Sequence, residues 1–182
     1  MTRLLPQPLD FNGPFPSQSR RLRLGIVGGG RIAATQAMAA RMTGRWDVVA
    51  GALSSDPDAS RQRGTEWHLS EDRCYGSFSQ MAQAEAGRPD GVDAVMITTP
   101  NHVHYPAACA FLDAGLGVLC DKPLTNDAGE AHDLVARTKA SQGVFMVSYV
   151  MSCFAMIRQA REIITQGGVG RINQIHVEFM QD

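Results

Sequence analysis

The sequence predicts an α/β fold in which helices cover both faces of a parallel sheet, the doubly wound arrangement of the Rossmann type. From Arg21 onward, short β-branched runs alternate with helical patterns, which is typical of βαβ units. The first run, Leu22 to Val27, breaks into glycines and resumes as a helical pattern. Polar clusters follow three of the predicted strands, where doubly wound sheets collect their ligands.

The predicted elements follow one another in the order that parallel winding requires. Strands are predicted at 22–27, 48–53, around 74–75, 92–99, 117–120 and 144–149, and helices at 31–42, 57–67, 78–86, 105–114, 127–141 and 154–165. Asp56 before Pro57 predicts a helix start, because an N-cap acceptor precedes a proline in the first turn. The sequence therefore predicts five or six parallel strands.

Three segments are expected. Residues 1–20 are rich in proline and show no periodicity, which predicts a flexible arm. Residues 21–150 form the Rossmann domain. Residues 151–182 are predicted to form a connecting helix and the first strand of a second, truncated α/β domain, because polar and apolar residues alternate over 172–180.

Composition favours a soluble protein that acts on small molecules. The 182 residues are 44% hydrophobic and 19% charged, enough for one buried domain and part of another. The net charge of −1 and the lack of basic runs argue against a nucleic-acid partner. The sequence has no apolar run of about 20 residues, so we expect no membrane partner. Four scattered cysteines without a Cys-x-x-Cys pair favour reduced thiols and a cytoplasmic location.

The glycine segment after the first predicted strand is typical of dinucleotide binding. Gly28 and Gly30 fit the places where a side chain would block the turn or the pyrophosphate, and Ala33 fits the third, small position. The helix that begins here with Arg31 and Ile32 would direct unpaired N–H groups at the phosphates. Glycine-rich turns also occur for packing reasons, so the context decides.

That context is given by clusters at the carboxyl ends of other predicted strands. They are Ser54-Ser55, Thr98-Thr99-Pro100-Asn101-His102-Val103-His104 and Asp121-Lys122-Pro123. Because parallel strands end at the same edge of the sheet, we expect these clusters to lie beside the glycine turn.

At these residues the chain resembles the glucose-fructose oxidoreductase and inositol dehydrogenase family, Gfo/Idh/MocA. The matching features are the Gly28-to-Ala33 turn, the Thr99-to-His104 loop, Asp121-Lys122-Pro123 where most members have Glu-Lys-Pro, and the exit from Gly167 to Glu178. The resemblance covers about residues 22–182. It implies an NAD- or NADP-dependent oxidoreductase that acts on a sugar, cyclitol or related polyol.

The resemblance also implies roles for individual residues. Lys122 would lie beside the nicotinamide and the reacting hydroxyl, where an ammonium donates to the oxygen whose charge changes. Asp121 could orient that ammonium. Thr99, Pro100, Asn101 and His102 would line the nicotinamide ribose or the substrate edge. These site residues are expected to bind the cofactor together with those of the glycine turn.

Several alternatives stay open for these residues. Lys122 could be a solvent-facing turn residue, and Asn101 could be the N-cap of the following helix. His102-x-His104 could suggest a metal, but no carboxylate or cysteine stands at ligand spacing, so we expect no metal site.

Cofactor preference is predicted from the end of the second strand. NAD-preferring sites usually place an acidic residue there, whereas this chain has Ser54 and Ser55, with Arg61 and Arg63 a turn or two later. Hydroxyl groups and arginines tolerate a 2′-phosphate, which favours NADP slightly over NAD.

Two functional hypotheses follow. The chain is either the dinucleotide-binding half of an oxidoreductase that acts once a substrate domain is supplied, or a non-catalytic dinucleotide-binding or interaction module. The family's Asp-x-x-x-His element is missing from the sequence, so whether this chain is itself an enzyme stays open. A decayed fragment with an exposed apolar strand would aggregate or form a homo-oligomer.

Overall fold

A five-stranded parallel sheet forms the centre of the protein, whose computed structural model describes residues 20–141 and 143–180. The strands are β1 (Leu22–Val27), β2 (Trp46–Ala52), β3 (Ala94–Ile97), β4 (Gly117–Cys120) and β5 (Phe145–Val147). They lie in the order β2-β1-β3-β4-β5. This confirms the predicted Rossmann-type class. The predicted arm falls outside the described residues except for Arg20.

Helices connect the strands and follow the last one. They are α1 (Arg31–Met42), α2 (Pro57–Glu66), α3 (Phe78–Ala86), α4 (Asn101–Asp113), α5 (Ala128–Ala140) and α6 (Ala155–Thr165), with short 3₁₀ turns at Glu71–Arg73 and Val150–Cys153. Asp56 caps α2 as predicted, since its carboxylate accepts from the N–H groups of Asp58 and Ala59 at 2.8 and 3.1 Å. Across the described ranges, no helix has the length and apolar character to cross a membrane.

The chain reverses direction across the sheet between β2 and β3. It runs outward from β1 to β2 and then crosses to place β3 on the other side of β1. The short strand predicted around 74–75 is reduced to one parallel bridge between Gly51 and Cys74, with the Tyr75 N–H bonded to the Gly51 carbonyl at 2.8 Å. Counting that bridge gives the strand order of a dinucleotide-binding fold, whose ligand crevice lies where the order reverses.

Apolar side chains alternate between the two faces of the central strands. Leu24 and Ile26 pack with Ala33 and Ala37 of α1 on one face. On the other face, Val27 packs together with buried residues of β3, α3, α4 and α5. Burial on both faces explains why these strands are continuous apolar runs, and it holds their carboxyl ends rigidly in place.

A buried ion pair joins α3 to the neighbouring segments. The Glu85 side chain is fully buried and accepts hydrogen bonds from Arg73 Nε at 3.0 Å, the Tyr75 hydroxyl at 2.7 Å and the Val92 N–H at 3.0 Å. Arg73 Nη2 donates to the second carboxylate oxygen of Glu85. These donors satisfy both oxygens of the buried Glu85 carboxylate, so the Glu85–Arg73 ion pair is part of the structural framework.

Two further predictions about the elements differ from the structure. Helix α4 begins at Asn101 instead of 105, with Pro100 at the N-cap position and Pro106 inside the helix. The strand predicted over 172–180 is not formed: those residues are exposed and lie outside any strand of the sheet. A strand requires a hydrogen-bonded neighbour, and the described residues provide none there.

Candidate functional site

The predicted clusters meet at the carboxyl edge of the sheet. The residue that follows each of four strands donates its N–H to the carbonyl oxygen of the last residue in the adjacent strand. The donor and acceptor pairs are Gly28 and Ala52 (2.9 Å), Thr98 and Val27 (2.9 Å), Asp121 and Ile97 (2.9 Å), and Ser148 and Cys120 (2.8 Å). Backbone hydrogen bonding therefore aligns the glycine turn, the threonine loop and the lysine segment in one row.

The three glycines of the turn lie in different surroundings. Gly28 has φ +101°, and a Cβ there would lie 2.9 Å from the Thr98 carbonyl oxygen. A Cβ on Gly29 would lie 2.2 Å from the Leu53 carbonyl oxygen. Gly30 has extended backbone, φ −81° and ψ −177°, and its Cβ would meet no atom within 4 Å. Packing within the chain thus explains Gly28 and Gly29 but not Gly30.

The N-terminus of α1 fits an anion. Gly30 takes the N-cap position, no side chain caps the helix, and its first turn has no acidic residue. The first N–H groups of an α-helix have no intrahelical acceptor and carry a partial positive charge. Arg31 and Ile32 are exposed in this turn. The arrangement is the one expected for a phosphate.

The segment after β2 is built around the cap of α2. Ser54 Oγ accepts from the Asp56 N–H at 3.2 Å, and Ser55 is exposed. Arg61 forms an ion pair with Asp58, so its charge is compensated locally. Arg63 Nη1 donates to the Leu53 carbonyl at 3.0 Å and lies against the glycine turn. Of the two arginines, only Arg63 lies next to the turn.

The loop after β3 divides its residues between support and exposure. Thr98 Oγ1 donates to the Val27 carbonyl at 3.0 Å and thereby supports the glycine turn. Pro100, Asn101 and His102 are exposed at the start of α4. Asn101 is the first helical residue, not the N-cap, so its side chain is not used as a cap.

The two histidines of this loop lie in different environments. His102 is exposed, whereas His104 is 1% exposed and contacts carbonyl oxygens on both sides of its ring. Within residues 20–141 and 143–180, no three His, Cys, Asp or Glu side chains are grouped to hold a metal ion.

The lysine segment begins with Asp121, which is engaged by its own neighbours. Asp121 Oδ1 accepts from the Lys122 N–H at 2.9 Å and from Ser148 Oγ at 3.3 Å. The expected contact with the Lys122 ammonium is not formed: in the described part of the chain, no carboxylate lies within 4.0 Å of it. Lys122 is exposed and precedes a cis peptide to Pro123. The aspartate shapes the segment, and the ammonium stays available.

The chain beneath this segment is apolar. Cys120 is fully buried, and burial, followed by the charge of Asp121, raises the pKa of its thiol to about 12. The thiol is therefore neutral at physiological pH and has no nucleophilic role there.

Two buried polar atoms at this edge have no partner among the described residues. They are Gln36 Oε1 on α1 and Thr99 Oγ1 in the threonine loop. Gln36 Nε2 lies 3.5 Å from Ser148 Oγ, which in turn bonds Asp121. Buried polar atoms are almost always satisfied, so these two fit a polar ligand that supplies the missing hydrogen bonds. Together with the open α1 terminus, they show that the residues fit a dinucleotide.

Sequence reasoning missed several residues that build this edge. Gly29 was not distinguished from its neighbours, although it is the most constrained of the three. Thr98 was named only as a member of the polar cluster, and Gln36 and Ser148 were not named; all three act through tertiary hydrogen bonds that no local pattern reveals. His104 was weighed only as a metal ligand, and its place in a helix that begins at Asn101 was the signal that could have indicated burial.

Comparisons with known proteins agree with this geometry. The family model described as an oxidoreductase family with an NAD-binding Rossmann fold, GFO_IDH_MocA, matches residues 22–149. The uncharacterised oxidoreductase YfiI of Bacillus subtilis is 32% identical over 165 residues, covering 88% of this chain and 42% of YfiI. The trans-1,2-dihydrobenzene-1,2-diol dehydrogenase of Mus musculus is 32% identical over 161 residues, which is 87% of this chain and 46% of that enzyme.

Solved structures show the same fold. An oxidoreductase from Sinorhizobium meliloti is 43% identical with a TM-score of 0.81, covering 84% of this chain and 43% of its own. An inositol dehydrogenase homologue from Azotobacter vinelandii, solved with NADH and myo-inositol, is 35% identical with a TM-score of 0.80, covering 84% and 41%. The chain thus spans less than half the length of these relatives. It belongs to the Gfo/Idh/MocA family of oxidoreductases, with the NAD-binding Rossmann fold.

Proposed function

We propose that this chain is the dinucleotide-binding half of an NAD-dependent oxidoreductase that transfers hydride to or from a carbon bearing a hydroxyl, in a polyol, cyclitol or sugar. The observation that carries the proposal is the glycine turn. Gly30 has no packing reason to be glycine, and it stands at an uncapped helix terminus at the sheet's reversal point.

Named residues divide the work of holding the dinucleotide. Gly28, Gly30 and the first turn with Arg31 and Ile32 receive the pyrophosphate. Ser54 and Ser55 lie where the adenosine ribose is held in this fold class.

Residues of the other two strand ends serve the nicotinamide half. Thr99, Pro100, Asn101 and His102 border its ribose, and Asp121 with Lys122 closes the row. When bound there, the nicotinamide supplies or accepts the hydride.

Lys122 is the residue that this chain offers to the reacting oxygen. Its ammonium is exposed and has no carboxylate partner among the described residues, so its protons are free to donate to a substrate oxygen. An oxygen that loses its proton as hydride leaves the carbon is stabilised by such a donor. Asp121 contributes by holding the backbone N–H of Lys122, which fixes where the side chain starts.

Substrate contacts are proposed to come largely from a further domain. The matched relatives are more than twice as long as the matched region, and residues 151–180 of this chain are all exposed. The apolar side chains Ile175, Val177 and Phe179 are 73%, 78% and 72% exposed. We infer that 151–182 leads into that domain, with 172–180 as its first strand once a neighbouring strand is present.

A cytoplasmic location is also proposed, because the free cysteines fit a reducing compartment.

NAD is the cofactor of the family, and the solved inositol dehydrogenase homologues from Azotobacter vinelandii hold NADH or NAD⁺. Of the two arginines from which a slight preference for NADP was predicted, one still supports it. Arg61 is paired with Asp58, whereas Arg63 lies beside the glycine turn. A preference for NADP in this chain stays a prediction that depends on Arg63.

Thermal unfolding of the 182-residue chain with NADH and with NADPH tests the proposal. A ligand at 100 times its dissociation constant adds about 2.7 kcal/mol to the native state. We expect the melting temperature to rise with at least one dinucleotide, and the larger rise identifies the preferred one. No rise with either would overturn the proposal. Binding without turnover in a preparation that contains the substrate domain would favour the non-catalytic module.

A further inference from the structure

His104 stands out because its buried ring contacts two loops of the candidate site at once. Its Nδ1 lies 2.7 Å from the Pro123 carbonyl oxygen, and its Nε2 lies 2.9 Å from the Thr99 carbonyl oxygen. The side chain is on α4 and only 1% exposed. Carbonyl oxygens only accept hydrogen bonds and a neutral imidazole has one N–H, so the ring donates to both segments when both of its nitrogens carry a proton.

The two carbonyls belong to the segments that carry the proposed chemistry. Thr99 has the buried hydroxyl that lacks a partner, and Pro123 directly follows Lys122. The β3–β4 ladder aligns the segments only as far as the bond from the Asp121 N–H to the Ile97 carbonyl. Beyond it, in the part of the chain that the structure describes, His104 supplies the hydrogen bonds that join 99–101 to 122–124.

We propose that His104 is a positioning residue that fixes the Lys122-Pro123 segment against the Thr99 loop, so that the Lys122 ammonium is presented at a set place. It is buried beneath the loops and acts through the two carbonyls, without touching substrate or cofactor. The reading of Lys122 as a catalytic group rests on the proposed function, whereas the hydrogen-bonded link does not. The two are therefore tested by separate measurements.

Two substitutions separate the two hydrogen bonds. In His104→Asn the amide nitrogen stands near the position of Nδ1 and keeps the bond to Pro123. In His104→Gln it stands near the position of Nε2 and keeps the bond to Thr99. Hydrogen exchange, read by mass spectrometry on peptides covering 98–103 and 120–126, reports the order of each segment without needing turnover.

We expect opposite patterns from the two variants. His104→Gln should raise exchange of the lysine segment roughly fivefold while the threonine loop stays protected, since one net hydrogen bond is lost. His104→Asn should do the reverse. His132→Gln, an exposed histidine on α5, should change neither peptide. Phe111→Leu, a buried change on α4 itself, should raise exchange across the helix without separating the two segments.

Equal effects of the two variants on both peptides would overturn the proposal, as would unchanged exchange in both. A variant that unfolds is recognised by exchange rising in every peptide, including β1, and the other amide variant then decides. NADH affinity of the same variants tests the proposed function separately. If the two variants show opposite exchange patterns but neither they nor the parent binds NADH, the positioning role of His104 stands and the proposed function fails.

Discussion

Replacing Gly30 with alanine should separate dinucleotide binding from folding. The added Cβ meets no atom of the chain within 4 Å, and the backbone at φ −81° and ψ −177° is open to any residue. Alanine lowers the entropy of the unfolded chain, a gain of about 0.4–1 kcal/mol. It is also a poorer N-cap than glycine, a loss of similar size. The free energy of unfolding without ligand should therefore change by less than about 1 kcal/mol.

The cost appears only when a phosphate approaches the helix terminus. A methyl group there displaces the anion from one or two backbone N–H groups, and hydrogen bonds to charged groups are worth about 1.5–3 kcal/mol each. A loss of about 2.7 kcal/mol of binding free energy corresponds to a roughly hundredfold larger dissociation constant. At 100 times the parent's dissociation constant, the stabilisation by NADH would fall from about 2.7 to about 0.4 kcal/mol.

Thermal unfolding measures both quantities in one experiment. For a chain of this size, 1 kcal/mol moves the melting temperature by roughly 2–4 °C. The parent should gain roughly 5–11 °C with saturating dinucleotide, and Gly30→Ala roughly 1–2 °C, with nearly equal melting temperatures in the absence of ligand. A variant that retains the parent's full shift would refute the assignment of Gly30 to the pyrophosphate.

Gly29→Ala is the matched control one residue earlier. Its Cβ would lie 2.2 Å from the Leu53 carbonyl oxygen and 2.7 Å from Arg63 Nη1, so backbone must move. We expect a loss of stability of about 1–3 kcal/mol without any ligand present. Should Gly29→Ala melt like the parent and Gly30→Ala melt early, the division of roles between the two glycines would be reversed.

Three further outcomes are expected. Lys122→Ala, in a preparation that turns over substrate, should lower kcat by about 10²–10⁴ while the dinucleotide KM changes little, and steady-state kinetics checks this. Glu85→Gln should cost about 3–5 kcal/mol in urea unfolding because it removes the buried carboxylate that pairs with Arg73 and leaves only Asp90, at 3.6 Å, as a charge partner, and adding Arg73→Met should recover most of it. In the native chain at pH 8, a thiol reagent should modify exposed Cys153 well before Cys120, whose raised pKa keeps it neutral; peptide mapping that finds equal modification would contradict this.

The framework was predictable from the sequence because its signals are local. The apolar runs of β1 and β4, the helix start at Asp56-Pro57 and the glycine turn each depend on residues adjacent in the chain, and the structure has them where the pattern places them. The carboxyl-edge location of the site follows from parallel winding, not from any one motif.

What the sequence did not reveal depends on tertiary neighbours. Asp121 was expected to face the Lys122 ammonium, but its carboxylate is used by a backbone N–H and by Ser148, a residue 27 positions later. The second ring contact of His104 reaches Pro123, 19 positions away. The strand over 172–180 fails for the same reason, since alternation indicates a face to bury but supplies no partner.

The glycine turn shows why a motif match alone is a weak argument for a binding site. The three adjacent glycines differ physically: Gly28 has a left-handed backbone, Gly29 lies against a carbonyl, and Gly30 faces open space before a helix terminus. The first two would be required in a turn that binds nothing. Only the third is left to be explained by the proposed ligand, because it alone leaves room for a side chain that the chain itself would tolerate. The functional content of the motif therefore lies in the glycine that the fold needs least.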